Sequence, residues 1–255
     1  MKLAIMQPYF MPYIGYFQAI AAVDRYILYD NLTFIKDGWM NRNRIRLING
    51  NVITITVPLI GKSSNSMIRD VLIDNSQKWS KKLLTSITLN YGRSPYFHEV
   101  FPLFENIFSH QYIRLVDLNV SSILQISSFL DIDTDIVFDN SKYLDMESKL
   151  ETVEYGIYSS FDYLESTKPI KKVARVIVMC KNENSNFFVN AIGGVDLYDK
   201  SEFSKYGISL NFIKTNNLEY PQFSEPFEPN LSIIDVLMFN GKEGTKKLLN
   251  EYTLV

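Results

Sequence analysis

The sequence predicts an α/β protein: a Rossmann-like strand–loop–helix–strand opening, then a β-hairpin, with a largely helical middle and C-terminal part covering the sheet. Three observations predict it. An apolar run, Lys2–Met6, is cut by Gln7-Pro8 and followed by a helical stripe and a second apolar run. An Asn49-Gly50 dipeptide separates two β-rich runs. From Ser76 to about Ile132 apolar residues recur at helical spacing.

Proline has no N–H and pushes its neighbour out of helical space, so Pro8 ends the first strand. Tyr16, Ile20 and Val23 share one helical stripe between Gly15 and Val23, and Arg25–Asp30 returns as a strand. In an open parallel sheet the carboxyl ends of the strands face the ligand crevice, so Gln7, Tyr9, Tyr13 and Asp30 are expected to cluster there. Asn41–Leu47 and Val52–Val57 form a hairpin across a two-residue Asn49-Gly50 turn. A third strand is expected over Met67–Ile73. Ser76 is a candidate cap for a helix carrying Trp79, Leu83, Leu84 and Ile87 on one stripe. Pro95 opens a second helix with Phe97, Val100, Phe101, Phe104 and Phe108 inward, and Tyr112–Leu130 makes a third.

Beyond these, Asp135–Phe138 reads as a strand and Glu147–Glu165 as a helix. Val173–Lys181 has strand-favouring valines but helical spacing, and is assigned helix because Phe187–Asn190 is the better strand. Gly193-Gly194 breaks the chain, Ile208–Ile213 is a last strand, and prolines from Pro221 to Pro229 precede a helix over Leu231–Phe239. No repeat or linker interrupts residues 1–255, which favours one compact unit with a soft boundary near 140.

The chain has 255 residues, 46% of them hydrophobic, and 26 basic against 28 acidic residues give a net charge of −2. That length buries roughly 70 to 75% of the unfolded surface, and the charge balance offers no field for nucleic acid. One cysteine, Cys180, forms no disulfide framework. Without a leader-like start or an apolar run of about 18 residues, a cytoplasmic protein with no membrane insertion is expected. Only two histidines, His98 and His110, are present, neither with a partner at metal-ligand spacing, so no metal site is expected.

Arg42, Arg44 and Arg46 alternate along the first hairpin strand and therefore point to one face, about 7 Å apart. That spacing suits a diphosphate, and guanidinium forks match phosphate oxygens. A two-residue turn sets Arg46, Arg44 and Arg42 opposite Ile53, Ile55 and Val57 respectively; the alternatives are a solvated face or a slipped register against Thr54 and Thr56. Lys36 and Trp39 lie just upstream. Asn190, Gly193, Gly194 and Tyr198 form a further candidate cluster, the glycines permitting positive φ and close approach of a ligand. Asp235, near the start of the last helix, reads as structural.

The run Met6-Gln7-Pro8-Tyr9-Phe10-Met11-Pro12-Tyr13-Ile14-Gly15-Tyr16-Phe17 resembles the opening signature of the WbqC-like protein family. Gly38–Arg44, Trp79 with Lys81-Lys82, Ser94–Phe97, Asn190 with Gly193-Gly194 and Leu197-Tyr198, and Pro229–Asp235 extend the resemblance along the chain. It implies a role in bacterial surface-polysaccharide (O-antigen) biosynthesis and supplies no catalytic residues. The first loop also looks, in outline, like the nucleotide site of adenylyl-transferring enzymes, but lacks their histidines.

These readings combine into an expected transferase acting on a nucleotide-diphosphate sugar, by acyl or aminoacyl transfer to a sugar amine. Asp30 is the candidate to orient or deprotonate the amine, with Gln7 and Asn43 as oxyanion donors. Tyr9, Tyr13, Lys36, Trp39, Arg42, Arg44, Asn190, Gly193, Gly194 and Tyr198 are the candidate binding residues. No tightly bound cofactor is expected; the donor is an acyl thioester, with an acyl carrier protein as partner, or ATP supplies the activation. The competing classes are a glycosyltransferase, an ATP-dependent amide ligase and a non-catalytic binding protein.

Overall fold

A computed structural model describes residues 1–61 and 66–255. The chain runs through β1 (Lys2–Met6), α1 (Ile14–Ala21), β2 (Arg25–Leu28), the hairpin β3 (Arg42–Arg46) and β4 (Val52–Thr56), and a minor pair, β5 (Leu59–Ile60) and β6 (Leu72–Ile73). Three helices follow: α2 (Trp79–Tyr91), α3 (Phe97–Ser109) and α4 (Leu115–Phe129). Then come β7 (Asp135–Val137), α5 (Leu144–Glu154), α6 (Lys171–Asn182) and β8 (Phe187–Ala191). The short α7 (Lys200–Ser204), β9 (Ser209–Thr215), α8 (Ile233–Leu248) and β10 (Tyr252–Leu254) complete the order.

The main sheet is ordered β10–β9–β8–β1–β2–β7, parallel except for β10 at one edge. From β1 the chain builds outward through β2 to β7, then crosses back to lay β8 on the opposite side of β1. The order therefore reverses between β1 and β8, the place where open α/β sheets bind ligands. Helices cover both faces, which is why the central strands are apolar at consecutive positions instead of alternate ones. Tyr26 and Leu28 enter one core with Phe17, Ile123 and Leu237. Ile27 and Tyr29 enter the other with Leu150, Ile177 and Phe188.

The mixed α/β class with a mostly parallel sheet is as the sequence indicates, and Val173–Lys181 lies within α6. Four local expectations are corrected. The hairpin turn has three residues, not two: Leu47 N–H donates to the Asn51 carbonyl at 2.8 Å, Gly50 N–H to the Leu47 carbonyl at 2.9 Å, and Gly50 sits at φ +87°. That left-handed glycine shifts the register by one, setting Arg42 opposite Thr56, Arg44 opposite Thr54 and Arg46 opposite Val52. Met67–Ile73 is no continuous strand, because Ile68–Asp70 turns as a 3-10 helix. Its backbone bonds the loop carbonyl of Leu32, and only Leu72–Ile73 pairs as a strand.

Ser76 lies in a short turn capped by Asp74, and α2 begins later, at Trp79. The helix expected to reach Glu165 stops at Glu154, where Gly156, at φ +78°, donates to the Val153 carbonyl. At the last helix the Ser232 hydroxyl accepts from Ile234 N–H at 3.3 Å, the N-cap bond that starts α8. Asp235 is fully buried and accepts from the Tyr91 and Tyr220 hydroxyls at 2.9 and 2.8 Å and from Gln222 Nε2 at 3.0 Å. It ties α2, α8 and the proline-rich segment together. Among the described residues no helix is long and apolar enough to cross a membrane.

Candidate functional site

β1 and β8 end side by side, and between their ends and α6 opens a cavity of about 530 Å³. One wall is the loop from Gln7 to Tyr13, in which the carbonyls of Gln7, Pro8, Phe10 and Met11 are held by side chains and that of Pro12 by a backbone N–H. Tyr16 Oη donates to Gln7 at 2.9 Å and Asn119 Nδ2 to Pro8 at 2.9 Å. Asn43 Nδ2 donates to Phe10 and Met11 at 3.1 and 2.7 Å, Ser232 Oγ to Met11 at 2.8 Å, and Ile233 N–H to Pro12 at 2.9 Å. These bonds hold Met11 at φ 42°, a conformation few non-glycine residues adopt. Residues far apart in sequence thus converge to make one loop rigid, which pre-organises whatever it binds. A Cβ on Gly15 would lie 2.3 Å from the Tyr13 ring, so only glycine lets that ring cover the start of α1.

The opposite wall comes from α6, where Lys172, Arg175, Val176 and Met179 share the face toward the cavity. Arg175 is gripped by Glu147, Nε to Oε1 at 2.5 Å and Nη2 to Oε2 at 2.9 Å, and Tyr29 Oη donates to the same Oε1 at 2.5 Å. Nη1 has no hydrogen-bond partner among the described residues. Among the described residues six tyrosines line the cavity, and the only charged lining side chains are Lys172 and Arg175. Burial pushes the Tyr9, Tyr13 and Tyr198 hydroxyls above their ordinary range, so they are neutral donors and acceptors at pH 7.

Gln7 and Asn190 leave the ends of β1 and β8 and bring two carboxamides to this cavity. Each uses its oxygen internally: Gln7 Oε1 accepts from Tyr9 Oη at 3.2 Å, and Asn190 Oδ1 from Ala191 N–H at 3.0 Å. Both amide nitrogens are left as donors. Gly193 and Gly194 also line the cavity, but neither adopts the positive φ expected; they form a 3-10 turn, Ile192–Gly194. Gly194 is required for a different reason, since a Cβ there would lie 2.1 Å from Asn190 Nδ2.

Tyr9 and Tyr13 also line a smaller chamber of about 270 Å³, with Trp39, Asn43, Arg44 and Asn230 around it. Seven residues singled out in the sequence (Gln7, Tyr9, Tyr13, Asn190, Gly193, Gly194 and Tyr198) therefore meet in the large cavity, and Trp39, Asn43 and Arg44 in its neighbour. The others do not join them. Asp30 does not cluster with Gln7, Tyr9 and Tyr13: it follows β2, which lies on the far side of β1 from β8, and it lines a separate cavity against α4 beside Arg114 and Phe138. There it accepts from Asn140 Nδ2 at 2.9 Å, and burial raises its carboxyl.

Asn43 has its amide nitrogen committed to two loop carbonyls and its oxygen to Arg44 N–H at 2.8 Å, leaving no donor for an oxyanion. Arg42 turns back onto Asp37, Lys36 is exposed and lines neither chamber, and Arg46 is buried against Gly50, Gln222 and Ser224. The three alternating arginines therefore do not converge on one chamber: only Arg44 lines one of the two. Sequence reasoning missed Arg175 and Lys172; the available signal was a cation set within the apolar stripe of α6. Among the described residues no group of three or more His, Cys, Asp or Glu could hold a metal ion.

Sheet order and cavity together define a doubly wound α/β protein with an aromatic, cation-bearing crevice at its switch point. The chain belongs to the WbqC-like protein family, whose model matches residues 7–247. It is 28% identical over 245 residues to a protein of Mycobacterium tuberculosis (strain ATCC 25618 / H37Rv), "Uncharacterized protein Rv1507c", covering 95% of both chains. No solved structure gives a match.

Proposed function

We propose that the switch-point cavity holds a nucleotide-linked amino sugar, and that the protein is a transferase of bacterial surface-polysaccharide assembly that acylates or aminoacylates the sugar amine. The observation that carries this reading is the cavity lining, which among the described residues has six tyrosines, two cations and no carboxylate. Arg175 Nη1, with its other edge fixed by Glu147, offers charge-assisted bonds to a diphosphate, and Lys172 adds a second positive charge at the rim. Tyrosine rings take the base and sugar by stacking and hydroxyl contacts.

In the transfer, the sugar nitrogen attacks the thioester carbonyl, the C–N bond forms, the C–S bond breaks, and the amine proton leaves with the thiolate as free thiol. The free amide nitrogens of Gln7 and Asn190 are donors to the diphosphate oxygens in the same cavity as Arg175. Among the described residues no carboxylate or histidine lines either chamber, so the amine reacts in its unprotonated form without a protein base and the rate rises with pH along the titration of the sugar amine.

The test combines thermal shift with a transfer assay. Nucleotide-linked amino sugars are expected to raise Tm in proportion to the logarithm of their excess. With an acyl thioester they should give one amide per thiol released. Release of AMP from ATP instead would make the protein a ligase, sugar transfer would make it a glycosyltransferase, and binding without turnover would make it a binding protein. Absence of binding to any nucleotide sugar would overturn the reading.

A further inference from the structure

We infer that the smaller chamber is the sugar subsite, with Trp39 as its stacking platform and the Tyr9–Tyr13 pair as the partition across which the glycosyl phosphate passes from the large cavity. The inference rests on the proposed nucleotide-sugar reading and assigns its two halves to two chambers. Tyr9 and Tyr13 line both spaces, so a ligand extending from one into the other crosses at these two rings. The chambers differ in chemistry. The large one carries Lys172 and Arg175, the charge that a diphosphate needs. In the small one Arg44, the single charged group among the described lining residues, is already engaged by Glu228 Oε1 at 3.2 Å and the Pro229 carbonyl at 3.3 Å.

Trp39 is a large apolar side chain left 48% exposed at the rim of a cavity, while the other tryptophan, Trp79, is 8% exposed in the core. Its position is fixed from the backbone, because the Trp39 carbonyl accepts from Phe10 N–H at 3.1 Å and so ties it to the first loop. A flat indole held beside neutral hydrogen-bonding groups suits a pyranose ring, whose C–H face packs on an aromatic plane while its hydroxyls meet polar side chains. Asn230 supplies such a group. It is exposed at φ 55°, and its side chain makes no hydrogen bond to the described residues.

The two tryptophans make the test direct, since aqueous iodide reaches Trp39 and not Trp79. UDP and dTDP, and the glucose conjugate of each, are titrated into the full chain while affinity and iodide quenching of fluorescence are followed. Every probe should bind, and Arg175→Ala should weaken nucleoside diphosphates and conjugates alike. Only the conjugates should shield tryptophan from iodide, and Trp39→Ala should weaken them about 3- to 10-fold while leaving the diphosphates unchanged. If conjugates bind no tighter than diphosphates and are indifferent to Trp39→Ala, while Arg175→Ala still weakens both, the sugar subsite is wrong and the nucleotide reading stands. If neither class binds the parent protein, the nucleotide reading fails and the subsite falls with it.

Discussion

Arg46 on β3 and Arg175 on α6 are both arginines held by several hydrogen bonds, yet they serve opposite ends. Arg46, 7% exposed, spends Nε on the Gly50 carbonyl and Nη1 on Gln222 and the Ser224 carbonyl, so it closes the hairpin onto the proline-rich segment. Arg175 spends one edge on Glu147 and presents the rest to a cavity. In the conspicuous run of three arginines each has its guanidinium engaged by protein groups, whereas the cation with an edge left over toward the large cavity is a single residue within an apolar stripe. What separates them is the bonding capacity left over, which no spacing rule reports.

The sharpest way to break that comparison is on stability. Arg46→Ala removes three hydrogen bonds and is expected to cost about 3 kcal/mol, a fall in Tm on the order of 5 to 10 °C. Lysine should not restore it, because an ammonium cannot reproduce the fork. Thermal unfolding of both variants checks this. Next is Gly194→Ala, whose Cβ would meet Asn190 Nδ2 at 2.1 Å. The carboxamide can swing away, so Tm should move little while nucleotide-sugar binding weakens by about 1 to 2 kcal/mol, the scale of one lost hydrogen bond, read by calorimetry. The smallest effect belongs to Arg42→Ala. Its ion pair with exposed Asp37 lies at the surface, so stability should change by no more than about 0.5 kcal/mol and binding not at all.

The fold was legible in the sequence where periodicity decides it. Helical spacing at Val173, Val176, Ile177 and Cys180 outweighed the strand preference of the valines, and α6 forms there. The hairpin was legible but its register was not, because Asn49-Gly50 serves a two-residue turn or a three-residue loop with a left-handed glycine, and the two differ by one residue of pairing. The first loop was legible as a cavity wall through its prolines and tyrosines. Asp30 was misplaced because the carboxyl end of a strand does not say which two strands flank the cavity, and β2 lies on the far side of β1 from β8. The partners that rigidify the loop, Asn43, Asn119 and Ser232, lie at least 30 residues away in sequence, and only the tertiary structure brings them together.

The central claim is that Arg175, and not the hairpin arginines, binds the diphosphate. Calorimetric titration of UDP and dTDP tests it most directly, comparing the parent with Arg42→Ala, Arg175→Ala and a double variant, Arg175→Ala with Glu147→Gln, which avoids leaving an unpaired carboxylate beside the cavity. The expected result is a loss of about 1.5 to 3 kcal/mol in both Arg175 variants and none in Arg42→Ala. A folded double variant that binds either nucleoside diphosphate as tightly as the parent would contradict it.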